Sequence, residues 1–181
     1  MLWFSSCAKT EDNNDGIAPV ISNIRFNSND TINWEGTIIK INDSTSTSRE
    51  LDTLVIGKIL YMSGYFSTNN TKALSGYKVE LWYKLINSDM EVLDDTLTAI
   101  GKNIYGMTEA DIWNNRLIQI PDSVSRTEEN EAGIDVSVIY KPIAGDYTVN
   151  VACGDIYGNK DSTLFSIRLL SRETIYNSRN K

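Results

Sequence analysis

Histidine is absent from this chain of 181 residues, and cysteine occurs only twice, at Cys7 and Cys153. Histidine is the commonest general base in enzymes and the commonest metal ligand, so its absence removes most acid–base catalysis at neutral pH and most transition-metal sites. The sequence also has no glycine-rich phosphate loop and no CxxC pair. We therefore expect a protein that uses no cofactor, binds no metal and is not an enzyme.

Basic residues are also scarce, because 17 Lys and Arg face 24 Asp and Glu, giving a formal net charge of −7. Nucleic-acid binding depends on neutralising phosphates with cations, so we exclude a nucleic-acid partner. The C-terminal end is the exception, since Glu173 there is outnumbered by four cations. These are Arg168, Arg172, Arg179 and Lys181. We interpret residues 171–181 as a basic, solvated C-terminal tail.

The first 17 residues carry no folding signal, and Cys7 is their most informative feature. The apolar start leads into Ser5, Ser6 and Cys7, an order that resembles the end of a bacterial lipoprotein signal peptide. In such proteins a peptidase cuts before the cysteine, whose thiol then carries a lipid. The resemblance implies a membrane anchor on Cys7 and a location in the cell envelope. The alternative is an incidental cysteine in an unstructured start.

Residues 8–16 are polar and acidic, so we interpret residues 1–17 as a lipoprotein signal remnant followed by a flexible tether. Acidic residues just after the lipid-bearing cysteine also resemble the surface-export signal of lipoproteins in the Bacteroides group. That resemblance favours display on the outer face of the outer membrane slightly over display in the periplasm.

From residue 18 onward, apolar and polar residues alternate, which predicts β-strands. The pattern is clearest over residues 77–85, and it recurs over residues 134–140, 147–153 and 165–169. Hydrophobic residues make up 41% of the chain, enough for a sizeable core. We predict an all-β protein, a two-sheet sandwich of about seven strands over residues 18–170.

One stretch departs from this alternation. Residues 108–113 place Thr108 at the position of a helix cap and Asp111 three residues later, which predicts a short helix. We interpret residues 94–122 as an insertion between strands, made of a loop and this short helix and closed by Pro121.

Two short motifs resemble parts of immunoglobulin-like domains. Residues 145–149, Gly-Asp-Tyr-Thr-Val, resemble a tyrosine corner, in which the phenol of Tyr147 would bond to nearby backbone. Residues 155–160, Asp-Ile-Tyr-Gly-Asn-Lys, resemble a hairpin of bacterial immunoglobulin-like modules. In that hairpin Gly158 and Asn159 would tolerate a positive φ.

A third resemblance concerns the centre of the chain. Residues 64–66 and 74–81 resemble the central strands of a family of uncharacterised Bacteroides-group lipoproteins with an immunoglobulin-like domain. The resemblance extends over residues 18–170. It implies an immunoglobulin-like (Ig-like) β-sandwich, and the family has no established activity to carry over.

Three tryptophans are candidate ligand-binding residues: Trp82, Trp34 and Trp113. Trp82 occupies an outward-facing position in the strand predicted over residues 77–85, and the other two tryptophans fall in loop or insertion segments. An exposed tryptophan can stack on a sugar ring or anchor a protein partner. We favour the alternative, in which the 94–122 insertion folds over Trp82 and buries it, because large aromatic side chains are uncommon on the surface of monomers.

Together these features favour a non-catalytic binding or accessory module of the cell envelope that recognises a glycan or a protein. A structural spacer or an assembly subunit is the alternative. A carboxylate-dependent glycoside hydrolase is less favoured, because neighbours in sequence do not face each other across a sugar ring. Its candidate carboxylates fall in polar stretches, at Asp94, Asp95, Glu128, Glu129 and Glu131.

Lipidation of Cys7 is directly testable. Expressed behind a complete lipoprotein signal peptide, the protein should partition into the detergent phase and gain the mass of its lipid, because acyl chains bury methylene groups in the membrane. A Cys7→Ser variant should remain in the aqueous phase at its unmodified mass. Equal partitioning of the two proteins would refute the anchor.

Overall fold

The structure of the protein is a computed structural model that describes residues 16–28, 31–40, 52–69, 73–101 and 103–179. Within these ranges the chain forms twelve strands and one helix. The strands are β1 (Val20–Asn27), β2 (Thr31–Trp34), β3 (Thr37–Lys40), β4 (Asp52–Val55), β5 (Ile59–Ser67), β6 (Leu74–Ile86), β7 (Val92–Gly101), β8 (Glu109–Gln119), β9 (Val124–Glu129), β10 (Asp135–Pro142), β11 (Gly145–Asp155) and β12 (Lys160–Leu170). The helix is α1 (Arg172–Arg179).

Two packed sheets carry the core, which confirms the all-β sandwich. The small sheet has the order β1-β5-β8. The large sheet has the order β4-β12-β11-β6-β10-β9, and β7 pairs with the other edge of β6. The chain crosses between the sheets repeatedly, and β4 pairs in parallel with β12 while the other pairings are antiparallel. This arrangement is a two-sheet β-sandwich.

The core lies between the sheets because each long strand turns every second side chain inward. Strand β6 buries Val79, Leu81 and Tyr83, and β11 buries Val149 and Val151 opposite them. The small sheet contributes the fully buried side chains of its own strands. These include Phe26, Leu60, Met62 and Phe66.

The predicted insertion over residues 94–122, with its short helix, is wrong. Residues 92–101 form strand β7, which pairs with β6 along ten consecutive residues, and residues 109–119 form strand β8, the edge of the small sheet. The helix prediction rested on Thr108 and Asp111, which form a capping pair only when the backbone between them is helical. Pairing with β5 and burial of Ala110 and Ile112 favour the extended backbone instead. These two strands, with β2, β9 and the separation of β4 from β5, raise the strand number above the seven predicted.

Residues 172–179 form helix α1 rather than a wholly solvated tail. The helix buries Ile175 against Val55, with Tyr176 packed beside them. Ser171 caps its first turn by accepting a hydrogen bond from Thr174 N at 3.1 Å. The sequence pattern misses this because a single buried residue in eight gives no helical period.

Tyr147 has the geometry of a tyrosine corner. Its hydroxyl donates to the carbonyl of Ile143, four residues upstream, at 2.8 Å. Further along β11, the buried positions Val149 and Val151 are followed by Cys153, a buried free thiol. Burial raises the pKa of the Cys153 thiol to about 12.

The Tyr147 corner predicts a measurable stability difference. Tyr147→Phe should lower the free energy of unfolding by about 1 kcal/mol, because one partly buried hydrogen bond is lost. Tyr105→Phe is the control, since Tyr105 is 70% exposed in the β7–β8 connection. Urea denaturation of the two variants measures the difference, and equal midpoints would argue against the corner.

Candidate functional site

The outer face of the large sheet carries Trp82 at its centre. Trp82 is the register partner of Thr96 on β7 and of Thr148 on β11, and Thr148 in turn pairs with Ser166 on β12. Because residues paired across strands share one face, this row consists of one indole flanked by hydroxyl groups. Trp82 is 43% exposed, so the expected burial of Trp82 beneath an insertion is wrong.

A depression of about 410 Å³ opens beside Trp82. Its walls come from three adjacent strands, with residues 82–84 from β6, 94–96 from β7 and 146–148 from β11. The volume falls within the range of small-ligand sites, which usually combine an aromatic surface with a few placed polar groups. We call this depression and the Trp82 row together the Trp82 face.

Next to the hydroxyl row, the Trp82 face carries charges of alternating sign. The Lys84 ammonium lies 3.0 Å from an oxygen of Asp94. On the adjoining strands, the guanidinium of Arg168 donates from Nε to Asp146 Oδ1 at 2.8 Å and from Nη2 to Oδ2 at 3.3 Å. This hydrogen bonding lowers the pKa of Asp146 below its usual value. The carboxylate is therefore an acceptor over a wide pH range.

The inward side of β7 supports this face from within the sandwich. Asp95 accepts a hydrogen bond from the hydroxyl of Tyr83 at 3.1 Å and lies 3.1 Å from Nη2 of Arg126. Burial raises the pKa of Tyr83, and the neighbouring charge of Asp95 raises it further. The Tyr83 phenol is therefore a permanent donor, and it fixes Asp95 and with it the backbone beneath the depression.

Trp113 lies on the opposite outer face of the sandwich and is 84% exposed. Ile112 pairs with Gly64 and Asn115 with Met62, so β8 contains one residue more than β5 between these rungs. The resulting β-bulge is the kind of irregularity that redirects a side chain. The tryptophans of the two sheets point away from each other, so one small ligand cannot contact both.

The remaining predicted site residues are Trp34, Cys7, Gly158 and Asn159. Trp34 lies in β2, which pairs with β3, but its side chain is outside the described residues, and so is Cys7. Gly158 has a φ of 88°, as the hairpin motif requires. Asn159 does not have a positive φ, contrary to the prediction. It donates its side-chain amide to Asp155 Oδ2 at 2.8 Å and thereby closes the turn.

The carboxylates considered for hydrolysis lie mostly on strands rather than in loops. Asp94 and Asp95 are neighbours on β7 and therefore face opposite sides of the sheet, and Glu128 and Glu129 do the same on β9. Glu131 lies in the turn between β9 and β10. In the part of the chain that the structure describes, no three acidic or cysteine side chains converge as a metal site would require.

No family model matches the chain, and no curated protein matches it significantly. None of the helices in the described ranges is long and apolar enough to cross a membrane. Function is therefore inferred from the geometry of the Trp82 face.

Sequence reasoning selected Trp82 and missed the residues around it. Thr148 and Asp146 have the same outward parity on β11 as Trp82 has on β6, and this parity is visible in the sequence. Their position beside Trp82 is not visible, because register between distant strands is not encoded in either strand alone. Thr96 and Asp94 lie in the stretch predicted to be an insertion, so the sequence does not place them on this face.

Adjacent aspartates on β7 should differ sharply in their effect on stability. Asp95→Ala leaves the Tyr83 hydroxyl buried without its acceptor and Arg126 without its counter-ion. We expect a loss of about 1–3 kcal/mol in the free energy of unfolding. Asp94→Ala removes only a pair with Lys84 whose carboxylate is 85% exposed, and should cost less than about 1 kcal/mol. Urea unfolding of the two variants tests the assignment, which fails if Asp94→Ala is the more damaging.

Proposed function

We propose that this protein is a non-catalytic carbohydrate-binding module of a cell-envelope lipoprotein, and that the glycan binds on the Trp82 face. The observation that carries the proposal is the placement of one half-exposed indole in a depression flanked by hydroxyl groups and ion-paired carboxylates. An indole offers a flat apolar surface to the C–H face of a sugar ring. Threonine hydroxyls and carboxylates accept and donate the hydrogen bonds that sugar hydroxyls need.

The rigidity of the site supports recognition of a ligand. The residues that line the depression lie on β6, β7 and β11, in the interior of a sheet rather than on a loop. Binding to side chains already held by strand pairing loses less conformational entropy than binding to a mobile loop.

Membrane attachment through a lipid on Cys7 is part of the proposal. Its support is the Ser-Ser-Cys sequence at residues 5–7, followed by the polar stretch to residue 16. A tether of this kind would hold a rigid sandwich away from the membrane, where an extended glycan is accessible. Display on the cell surface and display in the periplasm are both compatible with this arrangement.

A hydrolytic role is disfavoured by the state of the carboxylates on this face. Asp94 and Asp146 lie on strands two spacings apart, about 9–10 Å, which is near the separation used by inverting glycosidases. One of such a pair must be a protonated acid, with a raised pKa. Asp146 instead has a lowered pKa because Arg168 hydrogen-bonds to it, and Asp94 is ion-paired with Lys84.

A protein partner is the second candidate, and the β9–β10 hairpin favours it. Ile134, Val136 and Ile139 on this hairpin are 59%, 37% and 51% exposed. Among the described residues, β9 pairs with β10 alone, so its other edge is available for strand addition. This surface fits a structural spacer or assembly subunit better than a sugar, because it lacks a central aromatic ring.

The two exposed tryptophans provide a matched test of the glycan proposal. Trp82→Ala should weaken binding to the best soluble glycan of a screened panel at least tenfold, which corresponds to about 1.4 kcal/mol. Trp113→Ala should change the dissociation constant less than twofold, although its side chain is the more exposed of the two. Isothermal titration calorimetry measures both variants.

Two results would contradict the glycan proposal. Equal losses in the two variants would mean that the site is not the Trp82 face. Retention of full affinity by Trp82→Ala, together with loss of partner binding in an Ile139→Asp variant, would move the function to the β9–β10 hairpin.

The absence of catalysis is a separate prediction. The purified protein should release no reducing ends from any glycan that it binds, above a heat-denatured control, because the depression holds no carboxylic acid positioned to protonate a leaving group. Reproducible turnover that Asp146→Asn abolishes would make the protein an enzyme.

A further inference from the structure

Every carboxylate that lines the depression is paired with a cation. Asp94 is paired with Lys84, Asp146 with Arg168 and Asp95 with Arg126, at 3.0, 2.8 and 3.1 Å. On the outer face two negative and two positive charges therefore cancel, within a chain whose net charge is −7, while Arg126 balances Asp95 on the inward side of β7. The Trp82 face is electrically neutral by local pairing.

These pairs leave neither sign of charge available to a ligand. An anionic ligand would have to displace Asp94 or Asp146 from its cation, and an ammonium group would have to displace Lys84 or Arg168. Breaking an existing ion pair to form another gives no net gain and adds like-charge repulsion on the face. An uncharged hydroxyl can instead hydrogen-bond to the paired carboxylates without separating them, because each carboxylate oxygen accepts more than one hydrogen bond.

The length of the Trp82 row also indicates the size of the ligand. The series from Thr96 through Trp82 and Thr148 to Ser166 crosses four neighbouring strands. Three strand spacings amount to about 14 Å, which exceeds the width of one sugar ring and fits a short linear chain of them. The charge row of Asp94, Lys84, Asp146 and Arg168 follows the same direction on the same face.

We infer that the Trp82 face selects uncharged oligosaccharides and discriminates against acidic ones, through the neutralising ion pairs beside Trp82. This inference rests on the proposed carbohydrate-binding function and specifies its ligand class. Asp146 and Asp94 act in it as specificity-determining residues, since each cancels a cation that would otherwise attract a uronic acid.

The test uses the full chain and two classes of hexasaccharide. The uncharged class comprises the hexamers of β-1,4-glucose, α-1,4-glucose, β-1,4-xylose and β-1,4-mannose, and the acidic class comprises hexagalacturonate and hexamannuronate. We expect the tightest binder to be uncharged and its binding to depend on Trp82. Acidic hexamers should bind at least fivefold more weakly than the best uncharged one.

Two isosteric variants then test whether the ion pairs cause this discrimination. Asp146→Asn removes the negative charge that Arg168 pairs with on the Trp82 face, and Asp122→Asn breaks a matched exposed pair with Arg172, at 2.9 Å, outside the depression. Both variants change the net charge by one unit. Asp146→Asn should shift the ratio of acidic to uncharged affinity about fivefold towards the acidic hexamers, the upper end of an exposed ion pair, and Asp122→Asn should not shift it.

The outcomes separate failure of this inference from failure of the proposed function. If an acidic hexamer binds best and needs Trp82, or if Asp146→Asn and Asp122→Asn shift the ratio equally, the neutral-ligand inference is overturned and carbohydrate binding stands. If no hexamer of either class binds in a manner that Trp82→Ala weakens, the carbohydrate-binding function itself is overturned, and the inference falls with it.

Discussion

The register of strand β6 against β7 and β11 is the constraint on which the core and the candidate site both depend. With this register Val79, Leu81 and Tyr83 enter the core, and Trp82 emerges on the outer face beside Thr96 and Thr148. Side chains alternate between faces with a period of two, so a slip of one residue would bury Trp82 and expose the core residues of β6. Stability therefore enforces the geometry of the Trp82 face, and that face needs no stabilising interactions of its own.

Two sets of local interactions at the C-terminal end of β6 hold this register. At the β6–β7 turn, Asn87 Oδ1 accepts hydrogen bonds from the backbone N–H groups of Asp89 and Glu91, at 3.0 and 2.9 Å. Beside β11, the backbone N–H of Ile143 donates to the carbonyl of Lys84 at 2.9 Å, and the same Ile143 accepts from the Tyr147 hydroxyl. The tyrosine corner is thus connected, through Ile143, to Lys84, the next residue after Trp82 on the outer face of β6.

The sequence predicts the parts of this arrangement that are local. The alternation over residues 77–85 and 147–153 is clear, because strands with one buried face must follow it, and so the all-β sandwich could be predicted. Residues 92–101 give a broken signal, since the inward positions of β7 include Asp95, whose carboxylate pairs with Tyr83 and Arg126 from elsewhere in the chain. Propensity cannot reveal a strand whose inward polar residue depends on tertiary partners.

The candidate site was hidden for the same reason, because it is assembled by pairing between strands that are far apart in sequence. Trp82 and Thr148 are neighbours only through the β6–β11 register, and Trp82 and Thr96 only through a strand that was predicted to be an insertion. The alternation of side chains along β6 is compatible with two states of Trp82, one exposed to solvent and one covered by the predicted insertion. The pairing of β6 with β7 leaves Trp82 exposed, because residues 92–101 extend the sheet beside Trp82 and do not lie over it.

The composition of the Trp82 face argues for a small hydrated ligand over a permanent protein interface. Around Trp82 the outer positions of β7, β11 and β12 are mostly hydroxyl or charged side chains, and the exposed aliphatic residues Val92, Ile100 and Leu164 lie on rungs beyond it. Permanent interfaces resemble a protein core and have few charges at their centre. A single aromatic ring among polar groups that are already paired provides one apolar contact and many hydrogen-bonding partners. Those are the requirements of a sugar, whose rings are apolar on their faces and polar at their edges.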